Sequence, residues 1–270
     1  MLKASVCCIG KIENRYIREF VEWYKNLGFY HIYLYDNNDV DGERFEEVIN
    51  DYIESGYVSI INFRGKSICQ LEAYEDCFNK QKENNDWLFF IDIDEFLVLP
   101  NHTHISDFLS DNKFTTAEVI GINWKVYDDN DLVTYEDKPC NERFTREANL
   151  DIKVFNNTYK ENDHMKIFIS CKLQNVKFYD PHFLVRNKSI HHSTGKLIPN
   201  NSIFNHDFSN AYLKHFIMKT IDEFVNIKIK RGYASKTYDK AKAKLNIENF
   251  FKLNNKTQEK LNFIKNNTNI

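Results

Sequence analysis

Residues 87–99 read Trp-Leu-Phe-Phe-Ile-Asp-Ile-Asp-Glu-Phe-Leu-Val-Leu, an apolar run broken by three carboxylates. Leu88 to Ile91 suit a strand buried on both faces. An unpartnered carboxylate inside such a strand is costly to desolvate, so the strand should end at Asp92 and turn its acids toward a cation. Asp92 and Asp94 are two residues apart, which in an extended segment places both on one side. Two hard oxygen ligands at the mouth of a sheet suit Mg²⁺ or Mn²⁺, above all where substrate phosphates complete the shell. A second reading is the Asp nucleophile of a metal phosphohydrolase. That motif usually lies on a first strand, whereas this pair follows the fourth, and Phe96 takes the position where Thr or Val would stand.

Further ligands are sought among nine histidines. His182, in Asp180-Pro181-His182, and the pair His191-His192 fall in polar segments, and imidazole suits Mn²⁺. Spacing alone does not choose among them. Ala211 to Arg231 reads as one helix on which His215, Lys219 and Glu223, at i, i+4 and i+8, share a face. Periodicity alone favours an ordinary solvated stripe.

The elements that must position these groups begin at residue 3. Ala4 to Ile9 is a short apolar strand broken by Gly10. Asn14 to Asn26 carries Tyr16, Ile17, Phe20, Val21 and Tyr24 at helical spacing, with Gly28 as the stop. His31 to Tyr35 is a second strand, followed by the polar turn Asp36 to Asp39. A helix over 42–54, a strand over 58–63 and a helix over 68–82 lead to the acidic strand. This alternation predicts an α/β fold, a mostly parallel central sheet with helices on both faces. Ligands on such sheets bind beyond the carboxyl ends of the strands, so Gly10–Asn14, Asp36–Asp39 and Asp92–Glu95 should share one rim. Residues 118–126 read as another strand, 128–165 as a long polar loop, 167–171 and 176–179 as strand pieces, and 246–265 as one or two helices. The simplest organisation is one domain over 1–232 with a basic helical extension over 233–270.

Composition is that of an ordinary globular protein: 270 residues, 42% hydrophobic and 28% charged. The 15% aromatic share fits a large core or ring-stacking surfaces. Six cysteines include no CxxC pair, which argues against a thiolate metal site. The lack of a leader-like segment and of any 18-residue apolar run reads as cytoplasmic. From Leu213 onward there are 13 Lys and Arg against 5 Asp and Glu, leaving 23 against 34 in the rest. The acidic body excludes nucleic acid as a partner. The basic end suits peripheral contact with an anionic membrane, or simply a solvated helical face.

Taken together, the segments resemble the GT-A-fold (Rossmann-like) glycosyltransferases, specifically the family-92 and family-2-like group of bacterial surface-glycan loci. Gly10-Lys11-Ile12-Glu13-Asn14 with Glu22-Trp23 resembles the family's Lys-Asn-Glu opening, although the register differs. Leu27-Gly28, Ile32 to Asn37, Gln70 with Ala73-Tyr74 and Cys77, and Trp87 to Phe96 match successive segments. His215-Phe216, Lys219-Thr220, Glu223-Phe224, Lys228 and Arg231-Gly232 are similar to the C-terminal signature, with Phe216 for Tyr and Thr220 for Ser.

The resemblance implies a nucleotide-sugar donor, most often a UDP-sugar, bound with Mn²⁺ or Mg²⁺. It implies hexosyl or N-acetylhexosaminyl transfer to a glycan or lipid-linked acceptor in surface polysaccharide or lipopolysaccharide synthesis. Asp94 would ligate the metal, with His215 as the leading further ligand and His182 the next. Asp92 would meet the ribose or a metal-bound water, and Asp36 the base or ribose. Glu13, Asn14 and Gln70 would line the nucleotide, and Lys219 would neutralise the diphosphate. A base for the acceptor hydroxyl would come from the variable segment, where Glu142, Glu147, Asp151 and Asp163 are candidates. A catalytically inactive nucleotide-sugar- or glycan-binding protein remains the alternative, followed by the phosphohydrolase.

Overall fold

The apolar runs that open the chain become adjacent parallel strands in the computed structural model, which describes residues 2–149, 161–185, 190–198, 205–232 and 246–267. Strands β1 (Ala4–Gly10), β2 (His31–Asp36), β3 (Val58–Asn62) and β4 (Trp87–Phe90) lie in the order β3-β2-β1-β4 and are parallel throughout. Helices α1 (Asn14–Asn26), α2 (Glu46–Glu54) and α3 (Gln70–Gln81) make the crossovers. The five apolar residues of α1 expected at helical spacing are its buried face. Two apolar clusters result, one under α1 and α2 and the other under α3.

Beyond β4 the sheet becomes mixed. Strand β7 (Met165–Ser170) runs antiparallel between β4 and β6 (Val119–Val126). The sheet continues through β10 (Ile190–His192) to β11 (Leu197–Ile198). Strands β8 (Phe178–Asp180) and β9 (Phe183–Leu184) form a separate hairpin. Short helices α4 (Ile105–Leu109) and α5 (Cys140–Arg143) lie in the connections, α5 within the segment read as loop.

Two local expectations are corrected. The segment Asp92–Asp94 is a turn between β4 and β5 (Glu95–Val98), not an extended run, so alternation does not align its two aspartates. The expected helix over 211–231 begins only at Ile221. Tyr212–His215 is strand β12, antiparallel to β5 and parallel to β6. Leu213 and His215 are its buried positions while Tyr212 and Lys214 are half-exposed, so the segment satisfies period 2 once two strands offer edges to pair with. The helix is started by a capping box at Thr220 and Glu223, and passes into π-helical turns over Phe224–Ile229. His215, Lys219 and Glu223 therefore do not share a helical face.

The C-terminal helices Ile247–Leu253 and Gln258–Asn267 pack on this region, with Phe250 5.1 Å from Phe224 between ring centroids. No helix among the described residues is long and apolar enough to cross a membrane.

Candidate active site

The carboxyl ends of β1, β2 and β4 meet at one rim. Asn37 N–H donates to Gly10 O at 2.9 Å, and Ile12 N–H to Asn38 Oδ1 at 2.8 Å. A Cβ on Gly10 would lie 2.5 Å from Ile93 Cδ1 and 2.8 Å from Phe45 Cζ, so a larger residue there would have to displace the side chains that seat β1 against the acidic turn. Glu95 closes that turn: its Oε2 accepts from Asp92 N–H at 2.9 Å.

The two aspartates face different partners. Asp92 accepts from Gln70 Nε2 and from Lys166 Nζ, both at 2.8 Å. Lys166 is fully buried on β7 and stands 3.9 Å from Glu95 Oε1. Burial acts to lower the Lys166 ammonium, but Asp92 and Glu95 outweigh it and hold the lysine charged. Burial pushes Glu95 well above the usual carboxylate range, against the pull of Lys166. Lys166 is absent from the sequence-derived candidates. Its signal was a lone charge in an apolar strand, which only a buried counter-charge can support.

Asp94, also buried, turns toward the C-terminal half. Its Oδ1 is 3.7 Å from His215 Nε2 and its Oδ2 is 3.8 Å from Lys228 Nζ. Both distances exceed a hydrogen bond. Burial, with Lys228 nearby, drives His215 well below its ordinary range, so the imidazole is neutral and offers a lone pair rather than a positive charge. His215 Nδ1 is buried without a hydrogen-bond partner. A carboxylate oxygen and a neutral imidazole nitrogen facing across a gap fit a Mn²⁺ or Mg²⁺ ion. No group of three such donors is assembled among the described residues.

His182 lies beside this pair: its Nδ1 is 2.7 Å from Met165 O, and its ring packs on Trp124, as do those of His164 and His215. Burial drives His182 down to about 3.

The cations are held by a second network. Lys219 adopts a left-handed φ of 56° and sets its ammonium 4.2 Å from the centre of the Tyr16 ring. Tyr16 donates to Glu223 Oε1 at 2.8 Å, and Arg143 bonds both oxygens of Glu223 at 2.8 and 2.9 Å. The Lys228 ammonium donates to Ile217 O and is lowered by burial, against Asp94. Arg231 pairs with Glu13, whose carbonyl also accepts the first amides of α1. Lys228 and Arg231 stand in the C-terminal signature, but Arg143 carried no signal in its exposed-looking context.

The remaining candidates are placed as follows. Asn14 N–H donates to Glu43 Oε1 at 2.9 Å, and its side chain to Arg44 O. Asp36 is buried against Arg64 Nη1 at 2.5 Å and Asn38, where it braces the loop after β2. Glu142 is exposed on α5, and Glu147 pairs with Lys125 at 2.5 Å. Asp163 accepts from His206 Nδ1 at 2.8 Å. Asp151 lies outside the described residues.

Over 105 residues the chain is 32% identical to a glycosyltransferase family 92 protein of Oryza sativa subsp. japonica, covering 38% of this chain and 18% of that protein. Over 107 residues it is 29% identical to a galactan beta-1,4-galactosyltransferase of Arabidopsis thaliana, covering 36% and 20%. The aligned region is thus about a fifth of the length of these relatives. Among solved structures, S. aureus TarS 1-349 superposes with a TM-score of 0.40 at 12% identity, over 63% of this chain and 47% of that one. The model of glycosyltransferase family 92 matches residues 3–268, nearly the whole length, and the chain belongs to that family.

Proposed function

We propose that the protein transfers a hexosyl or N-acetylhexosaminyl group from a nucleotide-diphosphate sugar, a UDP-sugar, to a hydroxyl of a glycan or lipid-linked glycan. The observation that carries this reading is Asp94 facing the neutral His215 across 3.7 Å, with Lys228 beside them, at the carboxyl rim of the parallel strands. Those two side chains would hold Mn²⁺ or Mg²⁺, with diphosphate oxygens and water as the other ligands. A divalent cation bound there supplies Lewis-acid neutralisation of the departing diphosphate.

The chain's own residues do the rest. Lys166 and Gln70 fix Asp92 toward the ribose side of the rim. Lys219 and Lys228 provide fixed positive charge where the leaving group gains negative charge. The named activity of the Arabidopsis relative, galactan galactosyl transfer, supports a glycan hydroxyl as acceptor.

The test is UDP release from a panel of UDP-sugars with a glycan acceptor and Mn²⁺, with and without EDTA. Release should depend on the metal and fall by about 10²–10³-fold in Asp94→Ala, the loss typical when one charge-stabilising group is removed. Full activity in Asp94→Ala would overturn the assigned site. UDP binding without transfer would leave a binding protein, and phosphate release from phosphomonoesters without UDP affinity would leave a phosphohydrolase.

A further inference from the structure

We propose that His206, oriented by Asp163, is the base that takes the proton of the acceptor hydroxyl. This rests on the glycosyl-transfer reading above and names a part that it lacks. Asp163 Oδ1 accepts from both the backbone N–H of His206 at 3.1 Å and its Nδ1 at 2.8 Å. That pair of bonds commits the ring proton to Nδ1 and leaves the Nε2 lone pair free to accept one. The carboxylate is nearly buried behind an imidazole whose side chain is 31% exposed, so the ring edge is what a substrate would meet.

The dyad belongs to the rim of the acidic turn. Asp163 lies two residues before β7 and three before the Lys166 that holds Asp92. Its carbonyl accepts from Asn123 Nδ2 at 3.3 Å, and the next residue on β6, Trp124, packs its ring 4.2 Å from that of His215. Phe208 stacks on His206 at 5.0 Å between centroids, and Tyr212 lies 5.6 Å from Phe208, which gives the base an aromatic wall suited to the face of a sugar. The other ionisable groups around it are Asp207, next to it in the chain and accepting from Ser209, Lys125 of β6, 5.2 Å from the Phe208 ring and paired with Glu147, and His164 next to Asp163. Glu147 is thereby engaged, and Asp163 is turned into the imidazole rather than toward an acceptor.

In the step itself the acceptor oxygen bonds to the anomeric carbon while its proton passes to His206 Nε2. The bond from that carbon to the diphosphate oxygen breaks, and its electron pair leaves on the nucleotide diphosphate. The displacement is direct and inverts the anomeric centre.

The experiment compares the full chain with His206→Gln, His206→Asn and Asp163→Asn, by transfer kinetics with UDP-sugar and acceptor and by calorimetric UDP affinity. Both His206 variants should bind UDP as the parent does and lose about 10²–10⁴-fold in kcat, the usual worth of a positioned base. Asp163→Asn should lose less. That loss should fall on kcat and leave KM and UDP affinity at the parental values. Parental kcat in either His206 variant overturns the proposal, as does a loss of kcat matched by a loss of UDP affinity. A parent chain that neither binds UDP nor transfers sugar overturns the glycosyl-transfer reading, and this proposal with it.

Discussion

Lys166 is the side chain on which the acidic turn depends. It is fully buried, bonded to Asp92 and 3.9 Å from Glu95, so it pairs with one carboxylate and opposes the burial that keeps the second protonated. Breaking a buried ion pair by removing one partner typically costs about 3–5 kcal/mol, because the remaining charge is left uncompensated. The Asp92 side chain is 36% exposed, so Lys166→Met should cost less than that, about 1–3 kcal/mol, measured by urea unfolding. The cost should shrink as pH falls into the range where Glu95 is protonated with or without Lys166. Glu95 already has its folded pKa raised above the unfolded value, so the folded state binds the extra proton and stability falls as pH rises through that window. Without Lys166 the window widens upward. A cost that does not change with pH would show that Glu95 does not carry the effect.

At the scale of elements, the loop between β12 and the helix beginning at Ile221 is held from outside. Arg143 of α5 reaches across to Glu223, and both side chains are about 1% exposed. Burial acts to raise Glu223, but the Arg143 bonds outweigh it and the carboxyl is lowered, so this stabilisation is present above the usual glutamate range and is lost as pH falls through it. Glu223 also closes the capping box that follows Lys219. Arg143→Met should therefore destabilise the protein by about 3–5 kcal/mol. On the proposed donor site, it should also raise KM for a UDP-sugar through the loosened Lys219 loop. Parental KM in a variant that is destabilised would separate the loop from donor binding.

The strands and helices of residues 3–90 were legible because each carries its own period and its own stop. Tyr212–His215 was not, because four residues with a helical continuation choose a strand only when β5 and β6 stand on either side.

For the whole molecule, the basic C-terminal segment is not merely a solvated face. Lys260 is fully buried, 2.6 Å from Asp129 and 3.5 Å from Asp131, and Asn254 Oδ1 accepts from Asp129 N–H at 2.8 Å. These contacts clamp the last two helices to the turn after β6, from which Val126 and Tyr127 lead back to β12. Lys260→Met should raise amide hydrogen exchange across 247–267, while the strands over 4–36 keep their protection. Uniform loss of protection would mean that the extension and the sheet unfold as one unit.

The sequence by itself determined the parallel half of the sheet, the rim at which its polar turns converge, and the acids of that rim, since periodicity and desolvation act on neighbours in the chain. How the rim is charged depends on folding. Lys166, His215, Lys228 and Arg143 come from distant segments, and a lone charge in an apolar run says that a partner exists without saying which. Asp92 and Asp94 look equivalent as text, but folding turns one onto a lysine and aims the other at a neutral imidazole. That difference arises from the strands packed around the turn, because the electrostatic environment of a buried carboxylate is set by whatever the fold brings within a few ångströms of it.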